Sequence, residues 1–216
     1  MDKFYWIYFL KNLDLTGPLT AGATCVTAWV ALQALHTWKK QLFAEKKIEF
    51  IDELTNTVHE YIVEISPAVD YLKYIKMSID AHSSSVFPTD KRLNAGMINF
   101  IEKTGKSHQD KLMAYLDKTR IVLKKLTSLN AKGQVFGFNG YLECHQACTN
   151  LSGFYEKLGS IALRVGSTSL NWENPEVQDT LDKFKNFEFK GVRDQMDKEH
   201  IKFLSCIHNM YKGLLQ

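Results

Sequence analysis

The sequence predicts an all-α protein in which an N-terminal transmembrane helix continues into a cytosolic antiparallel bundle of long helices. Three observations carry that prediction. Residues 15–38 (LTGPLTAGATCVTAWVALQALHTW) contain no Asp, Glu, Lys or Arg. Ile51, Leu54, Val58, Tyr61, Ile65, Ala68, Leu72, Ile75 and Ile79 are separated alternately by three and four residues, the spacing of one helical seam. No stretch shows the two-residue alternation of a half-buried strand.

The element at 1–14 holds five aromatics (Phe4, Tyr5, Trp6, Tyr8, Phe9) between Lys3 and Lys11. Its apolar core of seven residues is too short for a secretory signal or a span. Aromatics flanking a span favour the membrane interface, so this segment is expected there. Residues 15–38 form the expected span, entered through Pro18, which lacks only an N–H that the first turn leaves unpaired. The 21 residues from 15 to 35 reach roughly 31 Å as a helix, against a hydrocarbon core of about 30 Å. Small residues recur every four positions in two rows, Gly17–Ala21–Cys25 and Thr20–Thr24–Ala28. Such rows allow close helix approach in a bilayer and mark these residues as candidates for span association. The threonines and Gln33 make the span a mild one, and the alternative is a soluble all-helical adaptor with residues 15–35 as a core helix.

Lys39, Lys40, Lys46 and Lys47 follow directly, and basic residues are retained on the cytoplasmic side. Residues 39–216 are therefore expected to be a cytoplasmic helical bundle. The four-heptad seam comes first, with a kink or helix end near Ser66 because Pro67 lies within it. Residues 82–90 read as a loop and 91–103 as a short helix closed by Thr104-Gly105. Long helices are expected over 110–130, 141–165 and 194–215, separated by a glycine-rich turn at 133–140 and a loop at 166–175, with a short helix at 176–187.

Composition narrows the function. A net charge of +3, from 27 basic and 24 acidic residues, gives no general case for nucleic acid. Only Arg92, Arg120, Arg164 and Arg193 supply the guanidinium that favours bidentate phosphate recognition. Four cysteines without a dense framework are expected to be reduced thiols. Cys144 and Cys148 lie one helical turn apart on an apolar seam, where cysteine acts as a small hydrophobe; as a metal pair they lack matching partners at zinc-site spacing. No metal and no cofactor is expected. The string GKS at 105–107 lacks the upstream glycine of a phosphate loop, and no other nucleotide or hydrolase signature is present.

Arg193 and His200, separated by six residues on a helical background, resemble the Arg-x6-His motif of HEPN ribonucleases. That resemblance implies a membrane-tethered nuclease in which both residues act on the scissile phosphate; the competing reading makes His200 a packed seam histidine. Trp38-Lys39-Lys40-Gln41-Leu42, with Phe154-Tyr155-Glu156-Lys157-Leu158 and the Ile207-His208-x-x-Tyr211 tail, resembles a group of bacterial single-pass membrane proteins. Those pair a span ending in W-[KR]-x-Q-L with a cytosolic helical body. The resemblance implies a non-enzymatic interaction module in the bacterial inner membrane. Its partners would be the lipid bilayer and either another protein or a second copy, with no specific nucleic acid. By architecture it further suggests an effector or subunit of an anti-phage defence system.

Overall fold

The computed structural model describes residues 16–84 and 92–214, and among these every regular element is helical. In order they are α1 (Thr16–Ser84), α2 (Ala95–Phe100), a π-helical turn (Ile101–Gly105), α3 (Lys106–Gly133), a 3-10 turn (Gln134–Phe136), α4 (Tyr141–Val165), α5 (Pro175–Lys185) and α6 (Phe189–Leu214). The interfacial segment expected at 1–14, and most of the loop expected at 82–90, lie outside the described residues. The chain divides into two compact units, Met1–Lys47 and Ile48–Gln216.

The second unit is a four-helix, up-down-up-down bundle. Cross-helix contacts give the directions. Along α1, Glu53, Glu64 and Tyr71 meet Lys125, Thr119 and His108 of α3, so the two run antiparallel. Asn130 of α3 bonds back to His145 and Thr149 of α4, which makes a second antiparallel pair. Asn150 and Lys157 of α4 meet Glu199 and Gln195 of α6. Asp52 and Asp70 of α1 meet Tyr211 and Arg193 of α6, closing the ring.

All nine seam residues from Ile51 to Ile79 are buried, as the spacing predicts. Each large aliphatic side chain so removed from water contributes about 1.5–3 kcal/mol. Tyr61 places its ring in the centre, and its hydroxyl donates to the Leu151 carbonyl of α4 at 2.8 Å. Of the kink or helix end expected near Ser66, the end is corrected: α1 continues through Pro67, and the buried face resumes after it. The Ser66 hydroxyl donates to the Ile62 carbonyl at 2.6 Å, one of the groups near the site where proline removes a backbone donor.

The closure expected at Thr104-Gly105 is also corrected. Instead of ending a helix, Gly105 closes a π turn that leads straight into α3. It is glycine because α4 ends against it: a Cβ there would lie 2.1 Å from the Val165 carbonyl oxygen. The turn between α3 and α4 matches the expected 133–140, with Gly137 (φ 62°) and Gly140 (φ 75°) in the left-handed region open to glycine. Asn174 caps α5, its side chain accepting the Glu176 N–H at 2.9 Å, with Pro175 at the first helical position.

Among the described residues, one buried side-chain group is unsatisfied: the Thr57 hydroxyl finds no hydrogen-bond partner there, although the residue is 1% exposed. An unpaired buried hydroxyl costs about 1–3 kcal/mol, so Thr57→Val is expected to stabilise the fold by about 1 kcal/mol. Chemical denaturation should show a higher midpoint at unchanged slope.

In the first unit, residues 16–47 are helical backbone. Val26, Trp29, Val30, Leu32, Leu35 and Trp38 are exposed. Among the described residues no helix is long and apolar enough to cross a membrane. Four threonines between 20 and 37, together with Gln33 and His36, dilute the aliphatic and aromatic side chains between them. The transmembrane assignment of 15–38 thus has no support from hydropathy. The all-α bundle stands.

Candidate functional site

The two residues of the Arg-x6-His spacing both lie on α6 and face α1, but at different turns. Arg193 is occupied: its guanidinium donates to the Ser66 hydroxyl at 3.0 Å and to the Asp70 carboxylate at 2.9 Å. The pair is partly exposed, and such pairs contribute under about 1 kcal/mol. His200 is half-buried two turns further along. Desolvation, then the charge of His59, holds its imidazole below the ordinary range, with Asp197 opposing. The arrangement ties Arg193 into the helix interface and leaves His200 beside a second histidine.

Cys144 and Cys148 are fully buried on the α4 seam, and Cys206 of α6 is buried beside them. The hydrogen bond that the Cys148 thiol donates to Cys144, together with burial, pushes that thiol far up, and burial pushes Cys206 up as well. Thiols so held stay protonated and are poor nucleophiles and ligands. His145 turns away from them: its Nδ1 lies 3.1 Å from the Asn130 side-chain oxygen. Among the described residues no group of three or more His, Cys, Asp or Glu is placed to hold a metal ion. Asn130 is spent on structure too, accepting the Tyr141 hydroxyl at its carbonyl, 2.8 Å away.

The expected span-association rows lie on the helical backbone of α1, where their described side chains are exposed. Ala21, Thr24, Cys25 and Ala28 are exposed, as is Thr20. A Cβ added at Gly22 would meet nothing within 4 Å. Thr24, Thr27 and Thr37 donate their hydroxyls to the carbonyls of Thr20, Ala23 and Gln33 at 2.8, 2.9 and 3.0 Å. Those donors are satisfied without water.

A groove between α1 and α3 was not legible in the sequence. It has a volume of about 740 Å³ and is lined chiefly by Tyr71, Tyr74, His108, Lys111, Tyr115 and Lys118. Tyr71 is its hub, with ring centroids 5.9 Å from Tyr74, 5.7 Å from His108 and 5.8 Å from Tyr115. The Tyr71 hydroxyl lies 2.8 Å from His108 Nδ1. Burial raises the Tyr71 phenol, while burial and then Lys111 and His82 lower the His108 imidazole. Both shifts favour the neutral forms, and the imidazole tautomer sets which of the two donates. The signal that was available is the shared helical spacing of Tyr71 with Tyr74 and of Lys111, Tyr115 and Lys118, but two helices had to be paired before it meant anything.

These histidines set a pH dependence. A base held below its unfolded value leaves the native state with fewer protons than the unfolded chain, so stability is present above about pH 6.5 and is lost as pH falls through it. The denaturant midpoint is expected to drop between about pH 7.5 and pH 5.5, and to drop less in His108→Gln/His200→Gln.

Against models of protein families, curated proteins and solved structures, the chain finds no match.

Proposed function

We propose that this chain is a non-enzymatic, membrane-associated interaction protein, with the uncharged part of α1 in the bilayer and the bundle of residues 48–214 on the cytoplasmic side, where it binds a protein partner. The observation that carries the reading is the exposure of Val26, Trp29, Val30, Leu32, Leu35 and Trp38 on a stretch without a single charge. A protein partner helix covers one stripe of a helix and leaves the opposite face wet. Here every side chain from residue 20 to 38 is exposed, so the whole circumference needs an apolar phase, and lipid supplies one on all sides.

The internal threonine bonds support this, because Thr24, Thr27 and Thr37 carry no unpaired hydroxyl hydrogen into lipid. The low hydropathy of the segment argues for insertion assisted by association along its small-residue rows, either with a second copy or with a partner span. Lys39, Lys40, Lys46 and Lys47 orient the bundle toward the cytoplasm and its anionic headgroups. Within this class the reading extends to an effector or subunit of a bacterial anti-phage system in the inner membrane, a step that rests on architecture alone.

The test is flotation of the full-length protein with lipid vesicles containing anionic phospholipid. Comigration with the vesicles after alkaline washing is the expected result. Recovery of the protein in the detergent-free soluble fraction would remove the basis of the proposal.

A further inference from the structure

The groove between α1 and α3 lies within the bundle unit and is independent of any membrane role. Two properties set it apart from an ordinary seam between helices. First, its cations are free: Lys111 and Lys118 are exposed and form no ion pair among the described residues. Neighbouring Lys106 is tied to Asp110, and Arg120 to Asp117. Among the described residues no carboxylate lines the groove. Second, its aromatic rings are arranged as a platform. Tyr71 and Tyr74 stack with an interplanar angle of 29°, and Tyr74 is 63% exposed, so one ring of the stack presents its surface to solvent.

The platform is fixed from behind. Tyr71 is held by the hydrogen bond to His108 and by Tyr115, and His108 in turn packs on the buried ring of Phe100 at 5.3 Å. Lys111 and Lys118 are seven residues apart on α3, about 10 Å along one helix face. A ring surface beside two unpaired ammonium groups is complementary to a ligand with a flat aromatic base at one end and a multiply charged anion at the other. The separation of the lysines suits an extended polyanion better than a single carboxylate.

We infer that this groove binds a nucleoside diphosphate or a related mononucleotide, its base stacked on Tyr74 and its phosphates held by Lys111 and Lys118. Stacking on an aromatic side chain tolerates any base, so the groove selects for phosphate number more than for base identity. Lysine here acts as a point charge on phosphate, without the bidentate geometry of arginine, so binding is weak and weakens further with salt.

The experiment is calorimetric titration of the full-length protein, in detergent micelles, with adenosine diphosphate. Adenosine and pyrophosphate serve as the two half-ligands. The expected result is saturable binding of the diphosphate, with each half-ligand at least about tenfold weaker. Lys111→Ala/Lys118→Ala and, separately, Tyr74→Ala should each weaken binding about tenfold or more. All three side chains are exposed, so the variants are expected to melt like the parent, and circular dichroism checks this. Several outcomes overturn the inference: no heat at about 1 mM diphosphate, pyrophosphate binding as tightly as the nucleotide, or variants that bind unchanged. Tighter binding of a short oligothymidylate than of the nucleotide would assign the groove to a nucleic-acid strand and overturn it as well.

Discussion

Gly105→Ala is expected to lower stability by about 2–3 kcal/mol, even though alanine is the better helix former by about 1 kcal/mol. The reason is contact with backbone. The added Cβ would lie 2.1 Å from the Val165 carbonyl oxygen and 3.3 Å from its carbon. A flexible side chain could rotate out of the way, but this oxygen belongs to the last residue of α4, which is fully buried and packed in the core. Relief requires the π turn or the end of α4 to shift, and overpacking a native core by such shifts typically costs 1–3 kcal/mol. Gly153→Ala on α4 is the control, because a Cβ there meets nothing within 4 Å. That variant should gain up to about 1 kcal/mol from propensity. Denaturant midpoints of the two variants should move in opposite directions; equal shifts would show that the approach of α4 to Gly105 is not what holds this end of the bundle.

Val26→Asp is expected to abolish comigration with vesicles. Val26 sits midway along the uncharged stretch 15–38 and is 63% exposed. A carboxylate at the centre of a span costs about 2.5–3.5 kcal/mol on the insertion scale, a factor of roughly a hundred or more in partition. A mild segment has little surplus to absorb that cost. The matched control is Ile121→Asp on α3, at a site 78% exposed in the bundle unit, which should float as the parent does. If both variants remain with the vesicles, the association comes from elsewhere in the chain, and the uncharged stretch needs another occupant.

Helix positions were largely legible because the signals are local. The α4 boundaries of 141–165 agree with the sequence, since Gly140 and Gly166 stop the pattern at both ends. The seam of α1 was readable because each residue's burial follows from its phase on one helix. The errors came where a local rule met a tertiary demand. Pro67 was expected to kink or end α1 near Ser66; the helix does not end there, and buried residues on both sides, Ile65 and Ala68, hold it together through the missing hydrogen bond. Gly105 was read as a stop because glycine usually breaks a helix, yet its role is to admit the carbonyl of a residue sixty positions away.

The candidate sites divide in the same way. Cys144 and Cys148 were readable as seam residues from spacing alone, and their burial follows. The occupation of Arg193 by Ser66 and Asp70 was not, because it joins residues more than 120 positions apart. The groove of Tyr71, Tyr74, Lys111 and Lys118 depends likewise on the antiparallel register of α1 and α3.

By itself, the sequence determined that the protein is all-helical, where its helices lie, and that residues 15–38 carry no charge. These are properties of period and composition, which a single strand of text contains. The tertiary structure alone decided which polar groups are spent on one another and which remain free. Asp70 neutralises Arg193, and among the described residues no carboxylate reaches Lys111 or Lys118, because the energy of a charge depends on what packing brings within a few ångströms of it.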